Sequence, residues 1–123
     1  MQLSHKQLAA ILKIGKVMVA ADGVMKKEEM AIVLNELVKF DVPHTHVPML
    51  LESSDEMTTS TMLDIFSNLD TETQKHICGY LAAIMIADGD VNDKELMVWK
   101  VTCSLCNFPT MTIGEALTFW KNN

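Results

Sequence analysis

Apolar residues recur three and four positions apart along almost the whole chain, as in Leu8, Ile11, Leu12, Ile14, Met18 and Val19, and again in Ile77, Leu81, Ile84 and Met85. Strict alternation is nowhere sustained. A helix returns one face to the core every three to four residues, whereas a half-buried strand alternates, so the pattern predicts an all-α protein. Capping residues place the boundaries. Ser4-x-x-Gln7 can satisfy free N–H groups at a helix start and opens a helix from about residue 5 to Asp22, which Gly23 stops by entering the left-handed region without steric cost. A second helix spans about 26–40 and ends at Asp41-Val42-Pro43. Thr45 starts a short helix to about Leu51, in which Pro48 is tolerated because first-turn N–H groups have no acceptor. The polar run Ser53-Ser54-Asp55 reads as a break before a fourth helix over Thr59–Leu69. Thr71-x-x-Gln74 opens a helix from about residue 72 to Asp88, Asn92-x-x-Glu95 opens one to about Cys106, and Thr112-x-x-Glu115 caps a last one to Trp120 or Lys121. About seven helices result.

The pattern also repeats. At an offset of 66 residues Ala21-Asp22-Gly23 falls on Ala87-Asp88-Gly89, Glu29 on Glu95, Leu37 on Cys103 and Pro43 on Pro109, with no gap between about 3–43 and 69–109. Apolar matches between two helical stretches are easily obtained, but the pairing of Asp, Gly, Glu and Pro at fixed positions points to an internal duplication. The chain, residues 1–123, is expected to be one compact bundle of two pseudo-symmetric helical hairpins, with Leu37 and Cys103 in equivalent core sites.

Composition narrows the function classes. A hydrophobic content of 49% over 123 residues supplies a core without disulfides. The net charge of −6, with only ten Lys and Arg, argues against nucleic acid as partner, since phosphate binding needs clustered cations. An acidic chain attracts cations or basic surfaces. No apolar run reaches the roughly 20 residues of a membrane span. Neither a signal peptide nor a disulfide framework is evident, and the odd count of three cysteines fits a reducing compartment, so a cytoplasmic location is expected.

The acidic turns are the candidate chemistry. Each Asp is placed in the last turn of its helix, against the negative end of the macrodipole, at a cost of about 0.3–1 kcal/mol. A following helix N-terminus, a hydrogen bond to its N–H groups or a bound cation has to compensate. The second turn adds Asp90, Asn92 and Asp93 before Glu95, a density of oxygens that suits a hard divalent cation such as calcium, magnesium or manganese. It is not an EF-hand, because Asp93 replaces the required Gly and Trp99 the bidentate Glu. In the first turn Lys26 and Lys27 stand where the second has Asn92 and Asp93, and are expected to repel a cation. The candidate metal ligands are Asp22, Glu29, Asp88, Asp90 and Glu95, and the competing reading of the same residues is purely structural helix capping.

The turn Ala-Asp-Gly with its downstream Glu, twice over in an all-helical chain of this length, resembles the TerB-like tellurite-resistance family. That resemblance implies a duplicated bundle of seven or eight helices with acidic residues on one surface, a role in tellurite and stress response, and metal chelation mapped onto Asp22, Glu29, Asp88 and Glu95. A protein partner docking on the acidic turns is the rival expectation, and a homo-oligomer is left open.

Other motifs carry less. Cys103-x-x-Cys106 aligns with Leu37 and Phe40 of the first copy, which marks both thiols as core residues rather than zinc ligands or a redox motif. His44-x-His46 lacks a third ligand, and His76-x-Cys78 points to different faces of a helix. Ten methionines suit irregular core packing. No nucleophile elbow, phosphate loop or dinucleotide fingerprint occurs, so a non-enzymatic module is expected.

Overall fold

The computed structural model describes residues 2–21 and 23–122. It contains α1 (His5–Ala20), α2 (Lys27–Lys39), a 3-10 turn (His44–His46), α3 (Val47–Glu56), α4 (Thr59–Ser67), α5 (Thr71–Ile86), α6 (Asp93–Leu105) and α7 (Ile113–Asn122), with no strand among the described residues. None of these helices is long and apolar enough to cross a membrane. The bounds of α1, α2 and α3 each recur 66 residues later in α5, α6 and α7, so the periodicity runs past Pro43 and Pro109 into the third helix of each copy. Helix α4 has no counterpart and links the two triplets.

The caps explain most boundaries. Ser4 and Gln7 close the expected reciprocal box on α1, as Thr112 and Glu115 do on α7. At α5 the cap is Asp70 rather than Thr71: its carboxylate accepts the Thr73 N–H at 2.7 Å, and Gln74 instead donates to the Phe66 carbonyl at 3.1 Å. A carboxylate caps as well as a hydroxyl and meets the positive helix end, which moves the start back by one residue. Helices α2 and α6 both end in a left-handed residue other than glycine, Asp41 (φ 56°) and Asn107 (φ 54°). In each the next N–H reaches back to satisfy an end carbonyl, Val42 to Leu37 at 3.1 Å and Phe108 to Cys103 at 2.9 Å.

The expected break at Ser53-Ser54-Asp55 is helical instead, the last part of α3. Its hydroxyl and carboxyl groups find tertiary partners that override their local preference for turns. Lys16 of α1 donates to Ser54 Oγ at 2.7 Å and pairs with Asp55 at 2.5 Å, and Ser54 donates to the Leu51 carbonyl at 2.8 Å. The chain breaks at Met57-Thr58, where Thr58 caps α4.

Helix α5 is the centre of the bundle. It is apolar around most of its circumference, from Ile77 through Met85 without an exposed side chain, and is covered by α1, α2, α6 and α7. The tightest approach is to α7. A Cβ on Gly79 would lie 2.3 Å from the Ala116 carbonyl oxygen and 2.3 Å from Trp120 Cβ, so only glycine lets the two helices come this close. Around the same contact, Glu36 of α2 is buried and accepts from His76 Nε2 at 2.8 Å and from Trp120 Nε1 at 3.3 Å, tying α2, α5 and α7 together. Phe40 meets the His76 ring edge-on at 5.5 Å. Tyr80 stands beside Gly15 of α1, where a Cβ would be 2.2 Å from its hydroxyl. Burial, and then the charge of Glu36, push the Tyr80 phenol well above its ordinary value. At the 66-residue offset Glu36, His76, Tyr80 and Trp120 correspond to Thr102, Ala10, Ile14 and Ser54, so this network belongs to one half only.

The Gly79 contact is testable. Gly79→Ala should destabilise the protein by about 1–3 kcal/mol through overpacking, against the helix-propensity gain of ~1 kcal/mol expected where space is open. Gly114→Ala, where a Cβ meets nothing nearer than 4.0 Å, is the control and should be neutral or stabilising. Equal urea midpoints for the two variants would show that α7 accommodates the methyl group by shifting.

Candidate functional site at the paired Asp-Gly turns

Helices α1 and α5 end at Ala20 and Ile86, two residues before each Asp, and the chain reverses through Gly23 (φ 81°) and Gly89 (φ 91°). Both glycines take the left-handed conformation expected of them. Asp88 is therefore beyond the last helical turn, one step further from it than expected. Asp22 lies outside the described residues.

Asp88 shows how the unfavourable placement is resolved. Its Oδ1 accepts the Asp90 N–H at 3.1 Å, and its Oδ2 lies 2.5 Å from Nζ of Lys26. Lys26 precedes α2 in the other copy, 62 positions earlier in the chain, so this ion pair fastens the two turns to each other. The Lys26 ammonium beside it, then the Asp90 N–H, hold the Asp88 carboxyl below the usual carboxylate range. Lys26, expected to repel a cation from the first turn, delivers a cation to the second. Its four-carbon arm makes the difference, because it spans the gap between copies that a shorter side chain at that position would not. A lysine at a helix N-cap offers no acceptor and meets the positive end of the dipole, and that local mismatch was the one sequence signal of a partner elsewhere.

Glu29 and Glu95 occupy the third positions of α2 and α6, and both are fully buried. Asn92 caps α6 as expected, accepting from the Lys94 N–H at 2.8 Å and the Glu95 N–H at 3.3 Å, but the Glu95 side chain turns inward. Neither carboxylate oxygen of Glu29 has a hydrogen-bond partner among the described residues. An ionised carboxylate taken out of water without donors is costly, and such a group fits a cation. Asp90 is exposed and contributes its N–H rather than its carboxylate to the turn. Asp88, Asp90 and Glu95 thus do not form the three-ligand group expected of them: among the described residues no three His, Cys, Asp or Glu side chains are placed to hold one metal ion. A complete ligand set has to draw on Asp22 or on water and backbone oxygens.

The remaining candidates separate cleanly. His44 and His46 are exposed. Cys106 is buried, with its thiol donating to the Leu63 carbonyl at 3.6 Å. Cys103 is only half-buried, a departure from the core site expected for it, and its sulfur lies 3.6 Å from that of Cys78. That pairing was not visible in the sequence, since Cys78 and Cys103 are on α5 and α6, 25 residues apart.

No protein-family model matches the chain, and no curated protein sequence matches it. Among solved structures, the crystal structure of a protein of unknown function, PG1108, from Porphyromonas gingivalis W83 is 38% identical, with the match covering 99% of this chain and 92% of that one at a TM-score of 0.86.

Two substitutions probe the turns. Gly89→Val should cost at least about 1 kcal/mol, because a β-branched residue is excluded from positive φ, and an unchanged melting temperature would count against the strain. Lys26→Met tests the link between copies through pH. A carboxyl lowered on folding contributes stability that is present above its unfolded value and is lost as the pH falls through its folded value. Wild type should therefore lose stability more steeply than Lys26→Met on acidification below the ordinary carboxylate range, and parallel acid limbs would show that the pair contributes nothing.

Proposed function

The chain belongs to the same family as the Porphyromonas gingivalis protein, and we propose that it is a TerB-like, non-enzymatic acidic helical module that binds a divalent cation at its paired Asp-Gly turns and acts in tellurite or stress response. The observation that carries the metal reading is Glu29, a fully buried carboxylate whose oxygens have no hydrogen-bond donor among the described residues, at the end of α2 where Lys26 meets Asp88. With no three described carboxylates grouped, Asp22, water or backbone oxygens would complete the shell that Glu29, Asp88 or Glu95 begins around the ion. It would neutralise their mutual repulsion and fasten the two copies more firmly than one lysine does. The likeness to the TerB-like motif supports the cellular role.

A second reading has its own observation. Lys26 already neutralises Asp88, which favours a metal-free module whose acidic turns dock on a basic protein surface.

Titration calorimetry with calcium, magnesium and manganese separates the two. The metal reading expects saturable heat with a dissociation constant of about 10⁻⁴–10⁻³ M, in the range of low-affinity calcium modules. Millimolar cation should then raise the melting temperature of wild type over a chelated sample but leave Glu29→Gln and the double change Asp88→Asn with Glu95→Gln unmoved. No heat with any of the three ions, together with higher stability of Glu29→Gln than of wild type, would assign the turns to docking instead.

A further inference from the structure

The half-buried thiol of Cys103 opens on a cleft of about 370 Å³ between α6 and the segment that follows it, lined by Cys78, Trp99, Lys100, Cys103, Phe108 and Met111 among others. Cys78 forms its inner wall. The two sulfurs are 3.6 Å apart, in contact but not bonded. Their environments differ in the way a nucleophile and a resolving thiol require. Cys78 is fully buried in the centre of α5, held by the Trp99 indole N–H on its carbonyl at 3.0 Å. Cys103 is half-buried, in sulfur–sulfur contact with Cys78, and lines the cleft together with Lys100, one turn earlier on the same helix. The contact with Cys78, opposed by burial, lowers the Cys103 thiol from its ordinary value, while the same contact and burial raise Cys78. Cys106, although only three residues from Cys103, is turned away onto the Leu63 carbonyl, and burial raises it too.

We propose that Cys103 and Cys78 form a thiol pair that reacts with a hydroperoxide, with Cys103 as the attacking sulfur and Cys78 as the resolving one. The Cys103 thiolate attacks one peroxide oxygen, an S–O bond forms, the O–O bond breaks, and the departing oxygen leaves after protonation as the alcohol, or as water when the oxidant is hydrogen peroxide. Cys103 is then a sulfenic acid, oxidised by two electrons that the peroxide has accepted. The Cys78 sulfur attacks the Cys103 sulfur, the S–O bond breaks, and water leaves with the Cys78 proton. The sulfurs then close from 3.6 Å to the ~2.05 Å of a disulfide. The product staples α5 to α6.

Peptide mapping of the full chain after hydrogen peroxide and thiol alkylation is the test. In wild type and Cys106→Ser the reaction should remove two hydrogens from the intact mass and yield a linked Cys78–Cys103 peptide, leaving Cys106 of wild type alkylated. Cys78→Ser should instead accumulate a Cys103 sulfenic acid that a cyclic dione traps, and Cys103→Ser should keep Cys78 alkylatable. A Cys103–Cys106 link, or two free thiols at positions 78 and 103 after peroxide, overturns the proposal. Wild-type mapping is decisive on its own if a serine variant fails to fold.

Discussion

A sixteen-residue helix that is apolar on nearly every side has to be surrounded, and α5 imposes that requirement on everything else. Burial of its side chains removes several hundred square ångströms of apolar surface from water, at about 25 cal/mol per Å² the dominant favourable contribution in such a core. One amphipathic hairpin covers only one side of a helix. Both copies supply its walls, α1 and α2 from the first repeat and α6 and α7 from its own. The duplication is thus a solution to a covering problem, and Gly79 is the point at which the last wall comes close enough to exclude water.

Within that frame the copies are not interchangeable. The contact among α2, α5 and α7 holds Glu36, His76 and Trp120 in one hydrogen-bonded set, whereas the equivalent places of the other copy carry Thr102, Ala10 and Ser54. Breaking a buried, paired carboxylate by removing one partner typically costs about 3–5 kcal/mol. The pairing therefore discriminates the correct partner helix from its pseudo-symmetric alternative, since Glu36 placed against Ala10 would be left without a donor. Two near-copies that pack on each other need such a distinction.

The paired turns follow the same logic at the surface. Local electrostatics disfavour an acidic residue just past a helix end, and the chain compensates by bringing a lysine from the opposite copy. The outcome is a junction in which a lysine before α2 meets an aspartate before α6, with Glu29 and Glu95 buried in the first turns of those helices. The thiol pair lies elsewhere, at the contact of α5 with α6, so cation binding and oxidation would act on different faces of the bundle.

Local chemistry determined a large part of this protein. Helical periodicity, the capping residues Ser4, Asn92 and Thr112, and the glycines at positive φ are written within a few residues of where they act, and the 66-residue offset makes the second copy legible from the first. Tertiary structure decided what depends on side chains that are distant in sequence. Lys16 met Ser54 and Asp55 in a stretch that reads locally as a break, Lys26 joined the nearby Asp90 N–H on Asp88, and Cys103 found Cys78 across a helix contact instead of Cys106 along its own helix. The same division runs through the acidic site. Its composition is visible as Asp88, Asp90 and Glu95 in one stretch, but Asp90 faces water while Glu29 and Glu95 are buried, because which face of a helix start is covered is set by the neighbouring copy and not by the cap.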